Sequence, residues 1–506
     1  MFVAAWRNLL ISAAGAVLNY LSFVIVAYLF GATVQTDIFL FALSFVIVVS
    51  ALITTVFGAI FLPLYIKLLH QPDGTVQAGN FACSFFARLL ALTVLVGLCM
   101  LIAPVPIFSW VSKFDPAILA QNQGLLTYFS LVFSLTVINE FLRVILLAHE
   151  GYVAASSSVL LQALSNLALM AVLAVFGGVH GLAVAAAASR CIQCVYLLWR
   201  VYRMGVRIRL HLASDFYLRE FRRLAGPYWA ASIISTVSVF FYDYVASGLP
   251  AGQLTAVAFA QKIYMLPVSM LALPVIEILN TKLSTLHARK ESEGVQRLYL
   301  QSLTLSLLVM LPISLIISLN ASPISEILLS RGAYLQSSLA ITVHSMSVLA
   351  LAIPWIVLFA INGRMSLVFQ NTRVPSLFGS LGHLISIFVV WWLVSAMGYI
   401  GLAWAKLTME ILYFLPFGFL VVRYSISLRW KTLFGDLAKI GMATVLAYAL
   451  AGCGISFMQH AAMPGLIVLL CSSVLLLVVF FVFCGLFGVM AHGLFDSLRR
   501  VPKSKL

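Results

Sequence analysis

The sequence predicts an all-α integral membrane protein with about fourteen transmembrane helices, arranged as two repeated six-helix lobes and two C-terminal helices. Of its 506 residues, 63% are hydrophobic and 9% are charged, and the mean hydropathy is +1.09. This composition leaves no room for a sizeable soluble domain. The pattern GxxGLA occurs at Gly178–Ala183 and again at Gly398–Ala403, 220 residues later. The two observations together indicate one membrane unit built twice.

The predicted spans are identified by length and hydrophobicity. Each helical crossing of a bilayer needs about 20 apolar residues. The sequence contains fourteen such stretches, near residues 8–30, 36–66, 81–105, 122–148, 153–176, 180–204, 225–249, 254–286, 300–319, 335–362, 375–397, 400–422, 433–455 and 465–491. The first stretch is too long for a cleavable signal peptide, and no processing site of small residues is found there. It is therefore expected to be a transmembrane helix.

The repeat defines the expected domain organisation. Six crossings separate the two GxxGLA copies, and an even number gives both halves the same orientation, as in parallel repeats related by an axis along the membrane normal. The prediction is an N-lobe at 1–204, a cytoplasmic linker at 205–224, a C-lobe at 225–425, and two further spans with a basic cytoplasmic tail at 426–506. The linker segment Ser214–Leu224 has an amphipathic pattern that predicts a short helix on the inner surface.

Spans two and eight are longer than a bilayer requires. Residues 36–66 would form a helix of about 46 Å, whereas the hydrocarbon core is about 30 Å thick. These two spans must tilt, bend or project, and they occupy matching places in the two lobes. Further kinks are predicted at Pro267, Pro274, Pro354 and Pro416, where neighbouring helices can satisfy the freed carbonyl groups.

The net charge of +15 reflects membrane topology rather than nucleic-acid binding. If the N-terminus is cytoplasmic, 22 of the 30 Lys and Arg residues fall in or beside cytoplasmic segments, and only Lys113 and Arg331 fall outside. This asymmetry follows the positive-inside rule and places both termini in the cytoplasm. The basic cluster between Arg200 and Arg223 is expected to anchor this topology near anionic lipids. We expect membrane lipids as partners and no nucleic acid.

Inserting a charged group into a membrane span costs at least about 2.5–3.5 kcal/mol on insertion scales, so each such residue is expected to have a structural or functional role that offsets this cost. Arg143 and Lys439 lie near the inner ends of their spans and are expected to snorkel to the interface. Arg190 and Glu410 lie 220 residues apart, at equivalent positions near the midplane. We hypothesise that their pairing differs between inward-open and outward-open states. Lys406 lies one turn before Glu410 and could instead neutralise it locally.

Two further charges lie near the outer surface. Asp243 in span seven and Lys262 in span eight are about 9–12 Å deep by helical rise. Either these two residues form a structural pair, or Lys262 contacts an anionic head group. A similar choice applies to the intramembrane charges as a whole: they neutralise one another, or they line a water-filled path between the lobes. The candidate substrate-binding residues are Lys262, Arg190, Arg88 and Asn19, and the candidate gating or coupling residues are Asp243, Glu410 and Lys406.

The sequence carries no enzyme signature. His149-Glu150 lacks the second histidine of a zinc-protease helix, and no phosphate-binding loop is present. The pair Cys191 and Cys194 has no second cysteine pair and no nearby histidine, so it is interpreted as two small packing residues. We predict a transporter with no cofactor, metal or disulfide, driven by a gradient or the membrane potential.

Several segments resemble the MurJ branch of the multidrug/oligosaccharidyl-lipid/polysaccharide exporter superfamily. They are Phe30–Asp37 with Phe61–Pro63, Ala260–Pro267, Leu328–Tyr334 and Asn371–Pro375. The resemblance covers the first twelve spans, and the two extra spans also fit that branch. It implies a V-shaped, two-lobed exporter of the bacterial cytoplasmic (inner) membrane. Its expected cargo is a polyprenyl-diphosphate-linked saccharide, flipped from the inner to the outer leaflet, and glycan-assembly enzymes are candidate partners.

The chain departs from the branch at several charged positions. Neutral residues stand where the branch carries charges, near Ala16, Ser22, Phe23 and Tyr28 in the first helix and near Ser50, Ala51 and Thr54 in span two. Lys262 keeps a cation, but Gln261 stands where a neighbouring acid is usual. These differences favour a flippase for a lipid-linked saccharide other than the peptidoglycan precursor. The alternatives are the lipid II flippase itself, a cation-coupled drug antiporter on the same fold, and a membrane scaffold for glycan assembly.

Overall fold

The computed structural model describes residues 2–71, 74–206, 216–368, 373–425, 430–460 and 464–488, and within these residues the regular structure is helical, with no strand. The α-helices are α1 Phe2–Phe30, α2 Val34–Val56, α3 Leu62–Leu69, α4 Gly74–Ile102, α5 Pro104–Val111, α6 Pro116–Gln121, α7 Gln123–Ala148, α8 Tyr152–Arg203, α9 Phe216–Ala246, α10 Gln253–Pro267, α11 Leu273–Ala288, α12 Ser292–Leu319, α13 Ala321–Leu329, α14 Gln336–Leu349, α15 Ile353–Val368, α16 Arg373–Met397, α17 Tyr399–Ser425, α18 Trp430–His460 and α19 Gly465–Leu486. The predicted all-α class is confirmed.

The described helices account for the fourteen predicted spans. Eleven helical segments are long and apolar enough to cross a membrane. One of them, α8, contains two predicted spans, because its backbone leaves the helical conformation at Gly178. The remaining two predicted spans correspond to α9 and α17. The number of crossings read from the sequence therefore agrees with the helices of the described part of the chain.

The two GxxGLA copies form the same tight turn. Gly178 and Gly398 have φ angles of 57° and 61°, a left-handed conformation that glycine adopts at little cost. A Cβ atom on Gly181 would lie 2.0 Å from the carbonyl oxygen of Leu173, and one on Gly401 would lie 2.2 Å from that of Leu393. The two leucines are also 220 residues apart. The sequence repeat is therefore a structural repeat in which two antiparallel helices meet with backbones in contact.

The over-long spans contain matching irregularities. Span two is interrupted by a π-helical segment at Phe57–Phe61, and span eight by one at Val268–Ala272. Each is followed directly by Leu-Pro, at Leu62-Pro63 and at Leu273-Pro274. A π-bulge interrupts the regular hydrogen-bond ladder of the helix. The proline in the first turn of the following helix has no backbone N–H to donate. The long spans are thus each built as two helical pieces. Span ten is divided in a related way by a 3-10 turn at Ala350–Ala352, just before Pro354.

The helices group into two compact units. One comprises Met1–Ala258 with Arg331–Leu335, and the other comprises Phe259–Ser330 with Gln336–Leu506. The bounds of these units differ from those of the lobes defined by the repeat. The division into an N-lobe and a C-lobe stays a prediction. The described part of the linker also differs from expectation: residues 216–224 form the first turns of α9 and run on into span seven. Ser214, the expected helix cap, lies outside the described residues.

An aromatic cluster surrounds the π-helical segment of the first unit. Phe61 is fully buried, and its ring centroid lies 5.1 Å from that of Phe81, 4.8 Å from Phe85 and 5.3 Å from Phe141. Phe85 in turn contacts Phe221 of α9 at 4.9 Å. Each such pair stabilises by about 0.5–1.5 kcal/mol beyond the burial of its surface. The cluster therefore ties α4, α7 and α9 to the irregular part of span two.

His149 closes the end of α7 next to this cluster. Its Nε2 atom lies 3.1 Å from the hydroxyl oxygen of Tyr65. Burial lowers the pKa of His149 below its usual value of 6.5, because a charged imidazole would lose hydration there. The ring is therefore neutral at pH 7 and forms a neutral hydrogen bond with the tyrosine.

We expect Gly181→Ala to destabilise the protein, because the added methyl group would overlap the backbone of Leu173, which has no side-chain freedom to move away. Overpacking of this kind costs about 1–3 kcal/mol. The matched control is Gly177→Ala, since no atom lies within 4 Å of a Cβ at that position. Thermal unfolding in detergent should show a lower midpoint for Gly181→Ala alone. Equal midpoints for the two variants would contradict the close contact.

Candidate functional site

A cavity of about 290 Å³ lies within the first unit, among α2, α7 and the two halves of α8. Nine of its twelve lining residues are polar: Ser50, Thr54, Thr136, Asn139, Glu140, Arg143, Gln162, Arg190 and Gln193. Polar and charged side chains within membrane spans are costly and usually mark a binding site or transport path. The cavity includes Arg190, one of the residues predicted from the sequence.

Arg190 enters this cavity from the second half of α8. Its Nε atom donates a hydrogen bond to the Thr136 hydroxyl at 2.9 Å, and its Nη1 atom donates to the carbonyl oxygen of Ala186 at 2.9 Å. Both acceptors are neutral, and no acidic side chain of the described residues pairs with this guanidinium. Arg190 is thus a partly buried cation whose charge is not compensated by the protein around it.

Arg143, in the same cavity, is paired. Its Nε and Nη2 atoms donate to the Glu140 carboxylate at 2.8 and 2.6 Å, a bidentate geometry that holds both side chains. The guanidinium thus pairs with an acid three residues earlier on α7, and the expectation that Arg143 snorkels to the inner interface stays a prediction. With Arg190 added, the cavity lining carries one net positive charge.

Amide and hydroxyl groups form the rest of the wall. Asn139 donates from Nδ2 to the carbonyl oxygen of Arg190 at 3.0 Å and to Oε1 of Gln193 at 3.1 Å. Its Oδ1 atom and the Ser50 hydroxyl are buried without a hydrogen-bond partner in the structure. Buried polar groups normally have partners, so these two atoms are unsatisfied polar groups in the wall of the cavity.

Sequence reasoning missed most of this wall. The signal was present as a polar stripe at helical spacing on α7, formed by Thr136, Asn139, Glu140 and Arg143 within an otherwise apolar span. Such spacing places the side chains on one helix face. The contribution of Gln162 and Gln193 from α8 depends on the turn at Gly178, which brings the two halves of that helix together.

Asp37 has a role that the sequence analysis did not assign. Its carboxylate accepts hydrogen bonds from the backbone N–H of Gly252 at 2.6 Å and from the N–H and hydroxyl of Thr255 at 2.8 and 2.6 Å. These donors lie at the N-terminus of α10, where the helix favours a negative charge. Asp37 is 2% exposed and fastens α2 to the start of α10.

Two of the segments that resemble the MurJ branch meet at this end of the first unit. The N–H of Ala333 donates to the carbonyl oxygen of Tyr28 at 2.9 Å. A Cβ on Gly31 would lie 2.3 Å from the carbonyl oxygen of Ala333. The segment after α13 thus lies directly on the turn between α1 and α2.

The other predicted substrate-binding residues have varied surroundings. Lys262 is exposed on α10, and Asn19 is partly buried on α1. Arg88 donates from Nη1 to the carbonyl oxygen of Ser84, one turn earlier, at 2.9 Å. Their part in binding stays a prediction.

The predicted gating residues also have local partners. Asp243 accepts a hydrogen bond from the Ser44 hydroxyl at 2.5 Å within the first unit. In the second unit, Lys406 Nζ lies 2.8 Å from Glu410 Oε1, so the local neutralisation of Glu410 is observed. The hypothesis that Glu410 also pairs with Arg190 in another state stays a prediction.

Comparison with known protein families gives one extended match. The profile of the family described as lipid II flippase MurJ matches residues 26–475. Among curated proteins, the probable lipid II flippase MurJ of Rickettsia prowazekii (strain Madrid E) is 23% identical over 150 residues. That alignment covers 30% of this chain and 29% of the relative.

Solved structures show the same fold. A lipid II flippase MurJ in an inward closed conformation matches 95% of this chain and 99% of its own chain, with a TM-score of 0.76 and 17% identity. A multidrug resistance MATE family transporter of the MOP superfamily, in an inward-facing conformation, matches 82% of this chain and 94% of its own, with a TM-score of 0.62 and 16% identity. The MATE transporter VcmN of Vibrio cholerae, in its bent form, has a TM-score of 0.54 and 13% identity, and the match covers 83% of this chain and 97% of that one.

We expect Arg190→Met to leave the stability unchanged or raised, because it removes a charge that has no acidic partner. Arg143→Met should instead strand the Glu140 carboxylate in the cavity. Breaking a fully buried pair costs about 3–5 kcal/mol; here both side chains are about a third exposed, at 34% and 30%, so about 1–3 kcal/mol is expected. Thermal unfolding of the two purified variants is the measurement. A larger loss for Arg190→Met than for Arg143→Met would contradict the assignment of Arg190 as uncompensated.

Proposed function

The chain belongs to the MurJ lipid II flippase family, a family of transporters, and on that premise we propose that it moves lipid II from the inner to the outer leaflet of the bacterial cytoplasmic membrane. The proposal includes a cytoplasmic location for both termini, in line with the distribution of Lys and Arg. No chemical step is involved, because a flippase changes the position of its substrate and not its bonds.

The observation that carries the proposal is the uncompensated charge of Arg190. A saccharide diphosphate cannot cross hydrocarbon unaided, since its phosphates and hydroxyls would lose hydration. A guanidinium is suited to a phosphate group, to which it donates paired, charge-assisted hydrogen bonds. The neutral acceptors around Arg190 leave its positive charge available to the diphosphate. The amides of Asn139, Gln162 and Gln193 are suited to the hydroxyl groups of the sugar.

The comparisons with known proteins favour one of the candidate substrates. A lipid-linked saccharide other than the peptidoglycan precursor was the first expectation from the neutral residues in α1. Because the family match extends over residues 26–475, lipid II now has the stronger support. A cationic drug is less well supported, since the cavity holds Arg143 and Arg190 against the single acid Glu140.

The membrane potential can supply the energy. Moving two negative charges outward across an inside-negative potential of roughly 100 mV is favourable by about 4.6 kcal/mol, which is twice the value for one charge. Directional transport further requires that the substrate bind one conformational state more tightly than the other.

The experiment is depletion of the protein in its own cells, followed by measurement of which leaflet holds the lipid-linked saccharide. We expect lipid II to accumulate with its head group on the cytoplasmic side, and collapse of the membrane potential to have the same effect. Expression of Arg190→Gln or Lys262→Ala should fail to restore export, whereas Lys262→Arg should restore part of it, because it keeps the cation. Arg289→Gln, at an exposed position between α11 and α12, is the matched control and should restore export fully.

Mass spectrometry of the accumulated lipid separates the candidate cargoes. Accumulation of a different polyprenyl-linked saccharide would replace lipid II as the substrate. A normal distribution of all lipid-linked saccharides, together with increased sensitivity to cationic drugs, would overturn the flippase proposal in favour of a drug antiporter.

A further inference from the structure

The last two turns of α8 carry a stripe of aromatic and basic side chains that the Arg190 cavity does not include. Tyr196, Trp199, Arg200 and Arg203 lie at i, i+3, i+4 and i+7, so they share one face of the helix. Trp199 follows Arg190 by about two and a half helical turns, which places the two side chains on opposite sides of α8. The stripe is therefore separate from the cavity.

The indole ring of Trp199 positions two guanidinium groups. The Cζ atom of Arg203 lies 4.9 Å from the centroid of this ring, and the Cζ atom of Arg200 lies 5.8 Å from it. The ring of Tyr196 packs beside the indole, with the two centroids 6.1 Å apart. An aromatic face attracts a cation through its quadrupole but has no net charge that would neutralise it. The indole thus orders both cations and leaves their positive charges in place.

The protein around the stripe does not compensate these two charges. The helices that pack most closely against α8 are α1 and α7. Neither α1 nor α8 contains Asp or Glu, and Glu140 of α7 is paired with Arg143. Among the described residues, no acidic side chain forms an ion pair with Arg200 or Arg203. The Nε atom of Arg200 is buried and has no hydrogen-bond partner.

The end of the helix itself offsets only part of this charge. The free carbonyl groups at the C-terminus of an α-helix are equivalent to roughly half of one negative elementary charge. Arg200 and Arg203 both lie in the last turns of α8 and together carry two positive charges. More than one positive charge therefore remains for a ligand, and the repulsion between the two guanidinium groups falls when an anion binds between them.

The exposed rings place the stripe at the level of the lipid head groups. Trp199 is 46% exposed and Tyr202 is 70% exposed, at the end of a helical segment that is long and apolar enough to cross a membrane. Trp and Tyr are enriched in this layer, because their rings contact acyl chains while their polar atoms reach water. The phosphate groups of the bilayer lipids lie in the same layer, so phosphate is the anion within reach of the two arginines.

We propose that Trp199, Arg200 and Arg203 form a binding site for the head group of an anionic phospholipid of the phosphatidylglycerol type. The two guanidinium groups donate charge-assisted hydrogen bonds to the phosphate, and the exposed face of Trp199 contacts the start of the acyl chains. A zwitterionic lipid binds less well, because its own cation meets the same two arginines. The site does not depend on the proposed flippase function; its place in the inner leaflet follows from the proposed orientation of the chain.

A site of this kind differs from the general attraction of basic segments to an anionic membrane surface. General attraction is shared by all exposed cations and is screened over about 10 Å at 0.1 M salt. Binding at the stripe depends on two particular arginines held by one indole ring. Removing one positive charge from the stripe should therefore have a larger effect than removing one from another exposed position.

The test is the affinity of the purified, delipidated full-length protein for phosphatidylglycerol, measured in a neutral detergent by native mass spectrometry. We expect Arg200→Gln and Arg203→Gln each to bind roughly tenfold more weakly, which corresponds to one charge-assisted hydrogen bond of about 1.5 kcal/mol. Arg200→Lys keeps the charge but loses the planar fork, and should retain part of the affinity. Arg289→Gln removes the same charge from an exposed position between α11 and α12 and should bind as the wild type does.

The outcomes that would overturn the proposal are distinct. Equal affinity of Arg200→Gln, Arg203→Gln and the wild type, or equal weakening in Arg289→Gln, would leave only general attraction. Phosphatidylcholine that binds as tightly as phosphatidylglycerol would reject a site for an anionic lipid. Inorganic phosphate that displaces phosphatidylglycerol at equal concentration would reassign the stripe as a site for a free anion.

Two features keep the test decisive. Arg203 is exposed, so Arg203→Gln gives the answer even if Arg200→Gln does not fold. No transported lipid is present in the measurement, so failure of the flippase proposal and failure of the phospholipid site are separate results.

Discussion

The cost of a charge in hydrocarbon is the constraint on which this structure depends. In most places where the described residues carry a charge within the spans, a nearby group of opposite charge or nearby hydrogen-bond donors offset this cost. Arg143 is held by Glu140, Lys406 by Glu410, and the Asp37 carboxylate by three donors at the N-terminus of α10. Arg190 differs because its hydrogen-bond acceptors are neutral. That difference is the reason we propose its cavity as a binding place for an anionic ligand.

The neutral first helix is consistent with this assignment. Ser22 stands near a position where the resembling branch carries arginine. Its hydroxyl lies 3.5 Å from Asn166 Nδ2, and the Asn166 Oδ1 atom lies 3.4 Å from the hydroxyl of Ser189, the neighbour of Arg190. The first helix thus contributes a hydroxyl group to a polar network that ends beside a cation on α8. In our proposal the positive charge in the cavity of the first unit comes from α8 rather than from α1.

The parts of the fold that follow from local rules were predictable from the sequence. Spans follow from apolar length, and the two turns follow from GxxGLA, because only glycine combines a positive φ with backbone contact at the next helix. The π-helical segments were foreseen only as over-long spans; the Leu-Pro pair that directly follows each of them is a local signal that the sequence analysis did not use. The capping role of Asp37 was not foreseen, because its partners Gly252 and Thr255 are more than 200 residues away. The pairing of Arg143 with Glu140 was not foreseen, because insertion cost alone does not identify a partner.

The central claim is that the Arg190 cavity binds the diphosphate of the transported lipid. The most direct test is the affinity of the purified protein for a polyprenyl diphosphate, measured for the wild type and for Arg190→Gln, with the exposed Arg289→Gln as control. A charge-assisted hydrogen bond contributes about 1.5–3 kcal/mol, so Arg190→Gln should bind roughly 10- to 150-fold more weakly, with the control unchanged. Equal affinity of Arg190→Gln and the wild type would contradict the account.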